Sequence, residues 1–142
     1  MQSDLIFVYG TLMRKVGSAM ANFLDSNANF MGEAWIGGYL YDMGEYPGLI
    51  YHPTAPDKVW GELFVLHNPV SVLSVLDGYE GVFGKESDEY RRSLLPVFTE
   101  KGQHPCWVYE WALSYHDCPL VPDGRYEHYF GQKEAHRRFV QS

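Results

Sequence analysis

The sequence predicts an α+β fold, a curved and largely antiparallel sheet or small barrel with peripheral helices. Three observations carry this expectation. Gly and Pro divide the chain into short segments rich in Val, Ile, Phe, Tyr and Trp, the pattern of strands separated by turns. Only one segment, starting at Asn68, carries a full set of helix signals. A regular parallel βαβ sheet would need a helix between most strands, and the pattern does not supply them. The 142 residues are 46% apolar and include 8 Phe, 4 Trp and 11 Tyr, enough to fill a core and to exclude disorder. That length fits one domain over residues 1–142.

Leu5-Ile6-Phe7-Val8-Tyr9 is a continuous apolar run, read as a buried strand that stops at Gly10-Thr11. Met20, Ala21, Phe23 and Leu24 suit a short helix from Ser18 to Leu24. The aromatic, glycine-interrupted stretch from Gly32 to Met43 reads as one long strand, or as two with a bulge. Tyr46-Pro47-Gly48 is a turn signal before a strand at Leu49-Ile50-Tyr51. Val59 to Leu66 is the next strand. In the clear helix, Asn68 is the N-cap and Pro69 the first helical residue. Val72, Leu73, Leu76 and Tyr79 form its apolar stripe, and Gly81 ends it. Tyr90 to Thr99 and Pro105 to Ala112 read as two more strands. The Tyr-rich segment after Ser114 has no clear pattern, and Glu127 to Val140 reads as a terminal helix.

Charge and composition narrow the function. Eleven Lys and Arg against 18 Asp and Glu give a net charge of −7, which disfavours nucleic acid as a partner. An acidic small molecule stays allowed if local donors hold it against the net field. Cys106 and Cys118 are too few for a disulfide scaffold. No apolar run approaches the ~20 residues of a membrane helix, and the N-terminal stretch lacks a basic region, so a reducing cytoplasm is the expected location.

Four groups of residues could carry chemistry. At Val8-Tyr9-Gly10-Thr11-Leu12 a buried strand ends in a glycine, where consecutive N–H groups can form a small anion pocket. An ordinary strand-to-helix turn capped by Thr11 is the alternative. Glu80, beside the apolar stripe of the helix, is either a partly desolvated base or a solvated helix-end acid. In Tyr90-Arg91-Arg92, alternation sends Tyr90 and Arg92 to one face, so one Arg could enter a cleft; both could equally be surface charges. His104-Pro105-Cys106 and His116-Asp117-Cys118 could together form a zinc site, though their spacing matches no strong zinc pattern and no metal is expected. No G-x-S-x-G elbow is present for nucleophilic hydrolysis.

Taken together, Tyr9-Gly10-Thr11-Leu12 and Glu80 make the chain resemble the gamma-glutamylcyclotransferase-like family, and within it the gamma-glutamylamine cyclotransferase branch. Further blocks match in order: Tyr41-Asp42-Met43-Gly44 with Tyr46-Pro47-Gly48, Val59-Trp60-Gly61-Glu62-Leu63, Leu76 to Gly81, Tyr90 with Arg92, and Val108-Tyr109. The resemblance implies a small mixed, mostly antiparallel barrel with flanking helices and a central cavity. It implies substrate binding by Tyr9, Gly10, Thr11 and Leu12, catalysis by Glu80, and Tyr90, Arg92 and Tyr109 near the cavity. The implied reaction releases 5-oxoproline from a γ-glutamyl amine or amino acid, with no cofactor and with Glu80 as general acid and base. The chain departs from the family at Met13-Arg14-Lys15-Val16-Gly17, where an Asn-His pair is usual and Asn22 is the candidate replacement. It departs again at Asp123-Gly124-Arg125-Tyr126, in place of Gly-Asp-Trp. A non-catalytic small-molecule or protein-binding module on the same fold is the alternative, and fold likeness alone does not decide between them.

Overall fold

The computed structural model describes residues 3–132. The first apolar run forms β1 (Leu5–Val8). Next come α1 (Ala19–Ser26), β2 (Ala28–Asp42), β3 (Pro47–Tyr51), β4 (Lys58–Leu66), α2 (Pro69–Glu80), β5 (Tyr90–Thr99) and β6 (Gly102–Trp111). A further helical stretch covers 126–132. The rest of the terminal helix expected to reach Val140 lies outside the described residues.

The strands run in the order β3-β2-β4-β1-β6-β5, and β5 returns to β2 through Trp35 opposite Phe98. Five strands therefore close on themselves, with β3 as an extra strand outside β2. Every pairing is antiparallel except β1 with β6. The predicted fold class is the one observed. Closure removes the exposed edges that an open sheet of this size would present.

Element limits differ from the sequence reading where tertiary pairing extends a strand. β2 begins at Ala28, ahead of the expected Gly32, because Ala28–Phe30 continue the ladder with Leu66–Phe64. The expected bulge is present as a register shift between Phe30 and Gly32. β6 begins at Gly102, because a two-residue turn after Thr99 sets Thr99 opposite Gly102 and carries polar Gln103 and His104 into the ladder. Pro47 and Gly48, a turn signal in the sequence, pair with Asp42 and Tyr41.

Both helices are capped as their sequences dictate. The Ser18 hydroxyl accepts the Ala21 N–H at 3.0 Å and donates to the Thr11 carbonyl at 2.5 Å. Ser18 is thus the cap of α1, a role the sequence also offers to Thr11. Asn68 caps α2 with Pro69 following, and Gly81 ends it at φ 70°, a left-handed conformation that costs glycine little. Val72, Leu73 and Leu76 are buried in the common core, but Tyr79 is 47% exposed. This corrects the expected stripe: four residues beyond Leu76 the inward face reaches Glu80, not Tyr79.

The segment after Ser114 packs along β2. Asp42 N–H donates to the Pro119 carbonyl at 2.8 Å and Val121 N–H to the Leu40 carbonyl at 2.7 Å. Val121 and Tyr126 are buried there. Among the described residues, no helix is long and apolar enough to cross a membrane.

Candidate active site

A cleft opens where β1 ends. Phe7, Val8, Tyr9, Gly10, Thr11 and Leu12 form one wall, Tyr46 and Pro47 a second, and Glu80, Tyr90 and Tyr109 the remainder. It holds about 360 Å³ of space continuous with solvent. All the residues that the sequence points to for binding or reaction line it, with the exception of Arg92.

The turn after β1 is closed by Met13 N–H donating to the Gly10 carbonyl at 3.0 Å. Among the described residues, the N–H groups of Gly10, Thr11 and Leu12 have no acceptor. Gly10 lies against Pro47 so closely that a Cβ would sit 2.7 Å from the proline Cγ. The site therefore needs glycine for close approach of two walls.

Three of the tyrosines on the wall direct their hydroxyls into the protein. Tyr9 donates to the Tyr109 carbonyl and accepts the Leu49 N–H at 3.2 Å. Tyr90 donates to the Pro47 carbonyl at 2.5 Å, and Tyr109 donates to Asp77 Oδ1 at 2.7 Å. Burial holds all three well above the usual phenol range, so they stay neutral. Tyr46, nearer solvent, donates to Glu89 at 2.7 Å, and this bond above all pushes it up to about 12.

These bonds explain Glu80. With the wall hydroxyls committed elsewhere, the Glu80 carboxylate accepts no hydrogen bond from the described residues. Desolvation alone raises it from its ordinary 4.5 to about 7. A carboxylate near 7 exchanges protons readily at neutral pH.

Arg92 does not line the cleft, against the sequence expectation. Alternation holds, with Tyr90 buried, Arg91 exposed and Arg92 half-buried. But Arg92 donates from Nε to Asp77 Oδ1 at 2.8 Å and from Nη2 to Oδ2 at 3.2 Å, and its guanidinium stacks 4.4 Å from the Trp107 ring centroid. The Asp77 pair holds it in a separate groove, shared with Trp107, Leu73 and Phe83. Asn22 is exposed on α1, and neither it nor Asp123–Tyr126 lines the cleft.

The two His-x-Cys pairs do not combine, because no group of three or more metal-ligating side chains occurs among the described residues. Cys106 is buried in the barrel and its thiol is pushed up to about 12 by burial. His104 faces Thr99 at 3.1 Å, and His116 is exposed beside Asp117.

Four contributors are given no site role by the sequence pattern. Tyr46 and Pro47 carry a turn signal and fall in one of the blocks of the resemblance, with no site role expected of them, and Pro47 both packs on Gly10 and accepts from Tyr90. Asp77 has the pattern of an ordinary helix residue, yet it gathers Tyr109 and Arg92. Glu62 falls within a strand, yet it is 3% exposed and accepts the Arg14 N–H at 2.6 Å. A charged residue inside an otherwise apolar strand is the available signal for Glu62.

Fold and cleft define a class of protein: a small closed barrel whose cleft is lined by a partly desolvated carboxylate at a helix end and by a glycine turn whose N–H groups have no acceptor among the described residues. The chain belongs to the family described as Gamma-glutamyl cyclotransferase, AIG2-like, which matches residues 6–128. Among solved structures it is similar to an AIG2-like protein from Mus musculus, at 26% identity and TM-score 0.67, over 87% of this chain and 88% of that one. It is similar to ytfP from Escherichia coli at 30% identity and TM-score 0.59, over 85% of this chain and 94% of that one. YkqA from Bacillus subtilis shares the fold at TM-score 0.70 and 20% identity; the match covers 94% of this chain but 43% of YkqA, so this chain spans less than half of that protein's length. No curated protein matches the chain.

Proposed function

We propose that this chain is a cyclotransferase that releases 5-oxoproline from a γ-glutamyl amine or γ-glutamyl amino acid. The observation that carries the reading is the Glu80 carboxylate, without a hydrogen-bond donor among the described residues, in a tyrosine-walled cleft also lined by Gly10–Leu12, whose N–H groups have no acceptor among those residues. Family membership supports the reaction class.

The substrate brings its own nucleophile. Its α-amine nitrogen attacks the γ-carbonyl carbon, a C–N bond forms to close the five-membered ring, and the bond to the departing amine breaks. Folding the glutamyl chain into that pose removes much of the entropic barrier. An α-amine is largely protonated at neutral pH, so a base must take its proton. Glu80, at about 7, takes one ammonium proton and passes it to solvent. As the C–N bond forms, it takes a second from the attacking nitrogen and returns it to the departing nitrogen, which leaves as a neutral amine while the lactam keeps one N–H. The N–H groups of the turn hold negative charge, either the substrate carboxylate or the oxygen of the tetrahedral intermediate. Arg92 takes no part in this, because Asp77 already occupies its guanidinium.

The test is a panel of γ-glutamyl amines and γ-glutamyl amino acids, with 5-oxoproline measured directly. Release by the wild type and none by Glu80→Gln is expected, with substrate binding retained in the variant. Binding without release in the wild type would instead favour a non-catalytic binding module.

A further inference from the structure

Glu62 is a buried carboxylate that the reaction above does not use. On β4 it lies opposite Val8 of β1 and Glu33 of β2. Alternation places it on the same face of β4 as Trp60 and Phe64. Trp60 is only half-buried, but Glu62 is 3% exposed, and the backbone it meets is that of Arg14. Its Oε1 accepts the Arg14 N–H at 2.6 Å; burial pushes the Glu62 carboxyl above its ordinary range, and the Arg14 and Lys15 N–H groups oppose that shift. These amides follow closely on Gly10–Leu12, and the intervening Met13 is 1% exposed.

We propose that Glu62 is a positioning residue for the turn at the cleft: its buried carboxylate fixes the backbone of Met13–Lys15 and so keeps Gly10–Leu12 at the cleft wall. The Ser18 hydroxyl holds the Thr11 carbonyl at 2.5 Å within the turn, and the ion pairs that reach the segment from outside are weaker than the Glu62 bond. Arg14 meets Asp25 at 3.5 Å, and Lys15 meets Glu33 at 3.8 Å and Glu127 at 3.7 Å. Their cationic partners are about half exposed, at 46% for Arg14 and 52% for Lys15, where water screens ion pairs strongly. The Glu62 bond is short and part-buried, and its acceptor side chain is 3% exposed. Strand β4 is held by β1 and β2 on its two sides, so the carboxylate is a fixed point against which the turn is set. The proposal rests on the functional reading above in one respect, that this turn binds substrate.

Residue-resolved amide exchange on the full chain tests it, comparing wild type with Glu62→Ala, Glu62→Gln and Glu33→Gln. The N–H groups of Met13, Val16 and Gly17 donate within the turn, not to Glu62. In Glu62→Ala their exchange is expected to accelerate about tenfold relative to the barrel strands, as does that of Arg14. Glu62→Gln keeps an acceptor oxygen and gives a smaller change, and Glu33→Gln gives none. Acceleration at Arg14 alone would reduce Glu62 to a local contact and overturn the proposal. So would equal acceleration in Glu33→Gln. If Glu62→Ala does not fold, unchanged exchange at Met13, Val16 and Gly17 in Glu62→Gln overturns it. In kinetics, Glu62→Ala raises KM about tenfold with a smaller change in kcat, and Glu62→Gln recovers part of the loss. If the wild type releases no 5-oxoproline from any substrate, the functional reading fails, while the exchange pattern still decides whether Glu62 holds the turn.

Discussion

The Tyr109 hydroxyl donates to Asp77 at 2.7 Å, tying a cleft-lining ring to the helix that carries Glu80 one turn later. Asp77 also takes both donors of Arg92, so it joins α2 to β5 and β6 at once. Asp77→Ala leaves Tyr109 and Arg92 without their acceptor in a half-buried site. We expect a loss of about 1–3 kcal/mol in urea unfolding. Asp77→Asn keeps one carbonyl oxygen and should lose less. Equal stability of Asp77→Ala and wild type would show that the network carries no net weight.

On the proposed mechanism, Glu80 should set the pH dependence of turnover. With its carboxyl at about 7, kcat/KM should rise through a midpoint near that pH as the base form is populated. Glu80→Gln should lower kcat by roughly 10²–10⁴-fold, the usual contribution of a positioned general base. A profile flat from about pH 5 to 8 in the wild type would remove Glu80 from this role.

The same residue predicts a stability signature that needs no substrate. Its carboxyl lies at about 7 in the folded chain, against an ordinary 4.5, so the folded chain binds the proton more tightly. Between those values the folded state carries more protons than the unfolded one. Glu80's contribution is therefore most favourable below pH 4.5 and becomes a penalty as pH rises through 7. The penalty at about pH 8 is up to about 3 kcal/mol. Glu80→Gln removes it, so the variant's Tm should exceed that of wild type at about pH 8 and converge with it by about pH 4. A Tm difference independent of pH would contradict the desolvated carboxylate.

Gly10 is a steric requirement of the cleft. A Cβ there would stand 2.7 Å from Pro47 Cγ, inside van der Waals contact. Gly10→Ala must push Pro47 aside, and Pro47 accepts the Tyr90 hydroxyl. We expect a stability loss of about 1–3 kcal/mol and a fall in kcat/KM beyond what that loss explains. Urea unfolding and steady-state kinetics on one preparation separate the two effects.

Much of the fold and of the cleft is legible in the chain. The caps Ser18 and Asn68, the stop at Gly81 and the apolar runs of β1 and β4 are local signals, and the elements form where those signals stand. Local pattern leaves the turn Tyr9–Leu12 and Glu80 open between function and ordinary structure, and the family resemblance singles them out; one cleft is lined by all of them. The positions that depart from the sequence expectation share a cause. Apolar character assigns Tyr79 to the core, but helical period gives the inward position to Glu80. Strand alternation assigns Arg92 to the inner face, but it fixes a face and not the partner waiting there.

The sequence alone determines what is encoded within a few residues: helix ends, strand periodicity, the glycine turn and the order of the elements. It also determines that an acidic chain must hold an anionic ligand by local donors. Tertiary structure decides which donors those are. Tyr9 meets Tyr109, Tyr109 meets Asp77, and Glu62 meets Arg14 across separations of 100, 32 and 48 residues. Only closure of the barrel brings such pairs together. Those contacts turn the tyrosine hydroxyls away from Glu80 and leave its carboxylate partly desolvated, and such a carboxylate is a stronger base because less water stabilises its charge.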